Sequence, residues 1–268
     1  MVSSVRPLVH RAASLIYRQL RFDKSPRQGL RILMYHAIGT PVEGDVRGLY
    51  SMTTPQFVMH MRYLVEHYRG RLVPLDRSAM KGGSLEIALT FDDGFRDNLL
   101  VAAPILVELG IPFTVFVCTG AVACRKAGFL GPEETRELAR LPGVRIGSHS
   151  VNHVRLTHCD DRGLYSELRD SKIYLEDLLG KDVNSISYPH GAVDRRVRDM
   201  AEEVGYQIGA SSRFDINRSE RDPFLLCRTA IWTKDDLPIF GQKLNGDWDW
   251  NRWRSADPAR NASSLSLP

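Results

Sequence analysis

Apolar positions along this chain change period repeatedly between that of a strand and that of a helix. Short apolar runs at Arg31–Tyr35 (RILMY), Leu85–Phe91, Phe113–Cys118 (FTVFVC), Val144–Gly147, Val183–Tyr188, Tyr206–Ala210 and Leu225–Trp232 predict strands. Between them, helical spacing predicts helices. The first spans Thr54–His67, with Thr54 as N-cap and Pro55 at the first helical position. Others span Asn98–Leu109, stopped by Gly110 and Pro112, then Glu133–Ala139, Asp161–Leu179, closed by Gly180, and Ala192–Glu203. No internal repeat is visible. The alternation predicts an α/β fold on a largely parallel sheet. It also places His36, Asp92-Asp93, His149 and His190 just beyond the C-terminal ends of strands, the edge where such folds build their sites.

The two ends of the chain read differently. From Val5 to Phe22, Val5, Leu8, Val9, Ala12, Leu15, Ile16 and Leu20 recur at helical spacing, interleaved with Arg6, Arg11, Arg18 and Arg21. This basic amphipathic pattern suits either an anionic membrane surface or, with greater weight, packing on the rest of the domain. Near the other end stand Trp248, Trp250 and Trp253. They suit sugar stacking or a membrane interface, but docking onto the core is favoured because Trp contributes most when buried. The tail 255–268, rich in Ser, Ala and Pro, is expected to be disordered. The expected division is residues 1–29 as helix and linker, 30–240 as catalytic domain, and 241–268 as a Trp-containing segment and tail.

Bulk properties narrow the classes. The chain has 268 residues and 43% hydrophobic residues, enough for one sizeable core. The net charge of +4 is spread along the chain, which argues against a nucleic-acid partner. Cys118, Cys124, Cys159 and Cys227 form no CxxC pair and are read as reduced or buried thiols. No apolar run reaches the ~20 residues of a membrane span. With no secretion signal recognised at the N-terminus, the expected address is cytoplasmic, with peripheral contact at the inner face of the membrane through residues 5–20.

Four motifs carry chemistry. In Thr90-Phe91-Asp92-Asp93-Gly94 two adjacent carboxylates end a strand, and the glycine permits a sharp turn. Their mutual repulsion is relieved if a cation binds one and leaves the other as a base. His149-Ser150-Val151-Asn152-His153 puts two imidazoles four apart, facing one way if the backbone takes a helical turn. Two imidazoles and a carboxylate with an open fourth position form the pattern of catalytic zinc, with Co²⁺ or Ni²⁺ as substitutes. Ser187-Tyr188-Pro189-His190-Gly191 is a rigid strand-end loop suited to aim a backbone N–H at an oxyanion, or an ordinary turn. Met34-Tyr35-His36 ends an early strand with a histidine.

At these residues the sequence resembles the polysaccharide deacetylase family, carbohydrate esterase family four, the NodB-homology domain, from about Ile32 to Trp232. The resemblance implies a distorted (β/α) barrel with predominantly parallel strands. It implies Asp92 as catalytic base, and Asp93, His149 and His153 as ligands of a divalent metal, Zn²⁺ foremost. It places the His190 backbone N–H at the oxyanion, although many members carry Tyr there. The family's late Leu-x-His motif is missing: no histidine follows His190. The early Met34-Tyr35-His36 resembles a permuted branch in which the acid histidine precedes the Asp pair, so His36 is expected as general acid. Arg228 resembles an arginine frequent near the end of that branch and is expected to pair with Asp92.

The expected function is hydrolysis of the N-acetyl amide of an amino sugar in a polysaccharide or lipid-linked precursor. Alternatives are deformylation or another amide cleavage on a lipid-linked sugar, and a non-catalytic glycan-binding homologue. The expected partner is an N-acetylated glycan or glycolipid.

Overall fold

The protein is described from a computed structural model covering residues 13–14, 16–17, 19, 28–80, 84–254 and 257–258. Nine strands occur there: β1 Gly29–Tyr35, β2 Ala37–Ile38, β3 Ser51–Met52, β4 Leu85–Phe91, β5 Phe113–Val117, β6 Val144–Ser148, β7 Ser185–Ser187, β8 Ile208–Ala210 and β9 Thr229–Ala230. Seven of them form one sheet in the order β8-β7-β6-β5-β4-β1-β9. Every pairing in it is parallel. The helices are α1 Thr54–Tyr68, α2 Ala103–Glu108, α3 Thr119–Ala123, α4 Pro132–Arg140, α5 Asp161–Leu179, α6 Arg195–Glu203 and α7 Leu237–Leu244.

The strands are apolar on both faces because the sheet curls and must fill two cores. Leu30, Ile32, Ala88, Phe116, Ile208, Ala210 and Leu226 cluster inside the curl. Their neighbours of opposite parity, such as Leu33, Tyr35, Ile87, Leu89 and Val115, join the larger core with the helices. The gap between β8 and β9 is bridged by the segment leading into β9. Gly209 N donates to Pro223 O (2.9 Å), and Leu226 N donates to Gly209 O (2.9 Å). A Cβ on Gly209 would lie 2.7 Å from Phe224 O, so glycine is what lets the seam close. The result is a curled, nearly closed half-barrel of parallel strands with helices outside, as the α/β barrel expectation required.

Several local expectations are corrected. Thr53, not Thr54, caps α1 and accepts from Gln56 N. The helix expected from Asn98 begins as a π-helical turn over Asn98–Ala102 before α2. The last strand shrinks to Thr229–Ala230, because the residues before it serve the seam. Trp248 is buried, and Asp249–Arg254 forms a 3-10 turn. That turn is anchored by Asp249, which accepts from Arg31 Nη1 (2.9 Å) and Nη2 (3.0 Å) with both side chains at 0% exposure. The C-terminal segment therefore docks on β1. Trp250 Nε1 donates to Ser14 Oγ (3.0 Å), and the Tyr17 and Trp253 rings meet edge-on at 5.5 Å. The described residues of the N-terminal helix thus bear on the docked segment, while most of 5–22 and most of the tail lie outside the described residues. All four cysteines are free. No helix among the described residues is long and apolar enough to cross a membrane.

Removing one partner of a fully buried ion pair strands the other charge. Asp249→Ala is expected to lower the unfolding free energy by about 3–5 kcal/mol, read by urea denaturation. A loss under ~1 kcal/mol, the range of an exposed pair, would show that the Arg31 contact does not hold the segment.

Candidate active site and metal centre

Strand parity delivers the site. Side chains two apart share a face, so the inward row of β1 that includes Ile32 continues to Met34 and His36. The inward row of β4 through Ala88 and Thr90 continues to Asp92. In β6, a Cβ on Gly147 would strike the interior Phe116 ring, and His149 follows two residues later. The site therefore collects at the C-terminal mouth of the barrel from strands far apart in sequence.

At its centre lies Asp92, 3% exposed. Arg228 meets it with two parallel bonds, Nη1 to Oδ1 and Nη2 to Oδ2, both 2.7 Å. Arg228 Nε donates to Ser211 O (2.8 Å), and Nη2 also reaches Ser187 Oγ (2.8 Å). Ser187 Oγ donates in turn to Asp92 Oδ2 (3.1 Å). Burial pushes the Asp92 carboxyl up, but Arg228 and His149 pull it below the usual range. A carboxylate offers about four lone-pair sites, so Oδ1 retains room to accept a proton.

Asp93 turns the other way, with a left-handed backbone at φ 73°. Its Oδ1 lies 3.4 Å from His149 Nε2 and 3.2 Å from His153 Nε2. One ligand atom from each of the three residues falls within 4.8 Å of the others. His149 Nδ1 lies 2.7 Å from Ser187 O, an arrangement that fixes the proton on Nδ1 and leaves the Nε2 lone pair toward Asp93. The histidines do not face one way through a helical turn, as the spacing suggested. They converge because Ser150 (φ 61°) and His153 (φ 55°) adopt left-handed backbone in an irregular loop. Burial pushes Asp93 up, yet the neighbouring His149 and His153 hold it well below the carboxylate range. Its buried Oδ1 nevertheless lacks a well-formed hydrogen bond. A carboxylate oxygen and two imidazole nitrogens, converging without satisfying one another, fit a divalent cation.

His36 is half-buried beside Tyr50, with ring centroids 5.0 Å apart. Its buried Nδ1 has no hydrogen-bond partner. Burial lowers its pKa, while Asp93 and Asp92 pull it up, which places those charges close by. Asn98 Nδ2 holds the His36 carbonyl at 2.9 Å. Beyond β7, Tyr188–Gly191 forms a tight turn in which His190 is left-handed (φ 59°), and its ring lies 4.6 Å from that of His153. All seven residues singled out from the sequence thus gather at this mouth.

Residues 80–209 match the family model described as polysaccharide deacetylase. A putative polysaccharide deacetylase, YxkH, of Bacillus subtilis (strain 168) is 30% identical over 209 residues, covering 75% of this chain and 71% of that one. The chain belongs to the polysaccharide deacetylase family. A peptidoglycan-N-acetylglucosamine deacetylase, PgdA, of Listeria monocytogenes serotype 1/2a (strain 10403S) is 31% identical over 123 residues, but these span only 24% of that protein. In fold, the chain is similar to the deacetylase PplD of Streptococcus pyogenes, solved with acetate. The TM-score is 0.73 at 24% identity, covering 82% of this chain and 99% of that one.

Sequence reasoning assigned no site role to Ser187, Asp97 or Asn98. Ser187 sits two residues before Pro189 on the inward face of β7, so strand parity alone could have found it. Asp97 is 5% exposed, and burial pushes its carboxyl up to about 6 against bonds from Ile38, Thr40 and Asn98. A raised carboxyl pKa means the folded state holds its proton more tightly than the unfolded chain. Stability should therefore fall as pH rises from about 4 through about 6. Relative to Asp97→Asn, the wild-type protein is expected to lose up to ~3 kcal/mol between those limits. Urea melts of both proteins at the two ends of this window check it. A pH-independent difference would show that Asp97 ionises as in water.

Proposed function

We propose that the protein hydrolyses the N-acetyl amide of an amino sugar, releasing acetate and a free amine, and that it needs a divalent cation. The observation that carries this reading is the convergence of Asp93, His149 and His153 beside an ion-paired Asp92 and the orphaned Nδ1 of His36. Membership of a deacetylase family directs it to an amide on a glycan. The named activity of the Listeria relative supports an N-acetylated amino sugar.

Asp93, His149 and His153 would hold the cation, which when bound supplies Lewis acidity toward the amide carbonyl and the attacking water. Zn²⁺ suits this donor set, with Co²⁺ or Ni²⁺ as substitutes. Asp92 accepts a proton from the water, oriented by the fork of Arg228 and by Ser187. The Asp92 pKa, held low, makes it a weak base in the free protein, so proton transfer depends on how acidic the water becomes in the site. The His190 N–H is offered to the developing oxyanion. In the turn around it, the N–H groups of Gly191 and Ala192 are already taken by the carbonyls of Tyr188 and Pro189. His36 donates a proton to the departing amine. Burial lowers its pKa against the upward pull of Asp93 and Asp92. A lipid-linked sugar at the inner membrane face remains part of this reading only through the basic pattern of residues 5–20.

Acetate release should be measured on a panel of N-acetylated glycans and glycolipids with cation-loaded protein. Asp92→Asn is expected to reduce turnover by about 10²–10⁴-fold with cation content unchanged. His36→Ala should likewise lower turnover far more than cation content. Chelation should abolish hydrolysis and re-addition of Zn²⁺ restore it. Wild-type rates in Asp92→Asn, or hydrolysis indifferent to chelators, would sink the reading.

A further inference from the structure

The loop His149–His153 has no regular secondary structure, and two of its non-glycine residues are left-handed. Such backbone persists only where its surroundings over-determine it. Backbone groups of this loop are secured from two sides. On one, the carbonyls of Ser150 and Val151 accept from Thr119 N (3.1 Å) and Gly120 N (2.9 Å), in the first turn of α3. The approach is close: a Cβ on Gly120 would lie 2.7 Å from Val151 O. On the other side stands α5. Glu167 Oε2 accepts from Val151 N (3.0 Å) and Asn152 N (2.9 Å), and Oε1 accepts from Asn152 Nδ2 (2.6 Å). One turn further along, Ser171 Oγ shares a hydrogen bond with Ser148 Oγ (2.8 Å), which accepts from Ser150 N (3.2 Å). Glu167 is 8% exposed and Ser171 0%.

We infer that Glu167, with Ser171 one turn on, is a positioning pair that sets the metal-binding geometry of His149 and His153 from helix α5. The inference rests on the metal reading above. Its logic is an accounting of the loop's backbone groups. A left-handed residue redirects the N–H groups that follow it, and a buried N–H without a partner is costly. A carboxylate is acceptor-only and can take several N–H groups at once. A single Glu167 therefore satisfies both N–H groups exposed by the left-handed Ser150. It also grips the Asn152 side chain immediately before His153. The spacing of four residues places Glu167 and Ser171 on one face of α5, so one helix restrains the loop at its start and in its middle. Neither side chain is a ligand: both act through the histidines. The pattern Glu-x-x-x-Ser in Glu167–Ser171 is thereby given a role toward the site and not only toward the core.

The test titrates Zn²⁺ by calorimetry into the metal-free full-length protein and records the visible spectrum of the Co²⁺ form, whose bands report coordination geometry. Glu167→Gln keeps the size of the side chain and replaces one acceptor oxygen by a donor. It is expected to weaken Zn²⁺ binding by about 10–100-fold and to alter the Co²⁺ bands. The thermal midpoint of the metal-free protein should stay within a few degrees of wild type. Zn²⁺ affinity within twofold of wild type together with an unchanged Co²⁺ spectrum would overturn the inference. Should Glu167→Gln fail to fold, Asn152→Ala, which removes only the Oε1 contact, and Ser171→Ala are read the same way. Weakened binding or altered bands in either supports the pair, and wild-type values in both overturn it. A wild-type protein that binds neither ion fails differently, because that result removes the metal reading itself.

Discussion

The bidentate contact between Arg228 and Asp92 is the constraint on which the mouth of the barrel depends. It runs from the segment entering β9 to the end of β4, and the same guanidinium reaches Ser187 on β7 and the Ser211 carbonyl after β8. Four parts of a curled sheet are thus tied at the edge where the chemistry is placed. A buried ion pair of this kind adds little net stability over apolar packing, since desolvation offsets its attraction. Its effect is geometric. With both oxygens of Asp92 engaged by a planar fork, the adjacent Asp93 alone turns toward the two histidines. Two neighbouring carboxylates, identical in chemistry, are given different tasks by what surrounds each.

Much of this was legible from the sequence because parallel strands impose a simple rule. Apolar runs mark the strands, their C-terminal ends mark the site, and parity selects the side chain that points inward. Asp92, His36 and His149 obey that rule, and the resemblance on the same motifs led to Arg228. The irregular parts were not legible. His149 and His153 converge through left-handed turns, which their spacing alone does not encode. Ser187 follows the parity rule, but it and Asn98 are small polar residues marked only by their hydrogen bonds, Ser187 to Asp92 and Arg228 and Asn98 to the His36 carbonyl. Such a bond leaves no periodic trace. The docking of the Trp248–Arg254 segment depends on Arg31 inside an apolar run, a charge that reads as an interruption until Asp249 is placed against it.

The electrostatics of the mouth follow from the same crowding. Asp92, Asp93, His36 and His149 act on one another's titration inside a weakly hydrated space, and the Arg228 charge acts on Asp92 and His36. Burial pulls His149 down, but Asp92 and Asp93 raise it overall. The imidazole of His149 thus faces the combined negative charge of the Asp pair. Arg228 and the imidazoles of His36 and His149 stand against the repulsion built into Asp92-Asp93.

Backbone conformation carries the final step of the argument. Among the described residues, five non-glycine positions hold positive φ, and four of them, Asp93, Ser150, His153 and His190, lie in the site. Each costs on the order of 1 kcal/mol against relaxed backbone. That concentration is not explained by loop content, since the protein has many loops distant from the mouth. It is explained by what the strands cannot do. A parallel strand ends pointing out of the barrel, and side chains needed at a common centre must turn back over the rim. Left-handed residues produce that reversal in the fewest steps. The twin cores on either side of the sheet supply the rigidity that lets the rim hold them. The fold thus contributes to the site twice, by bringing strand ends together and by tolerating the local strain that aims their last side chains inward.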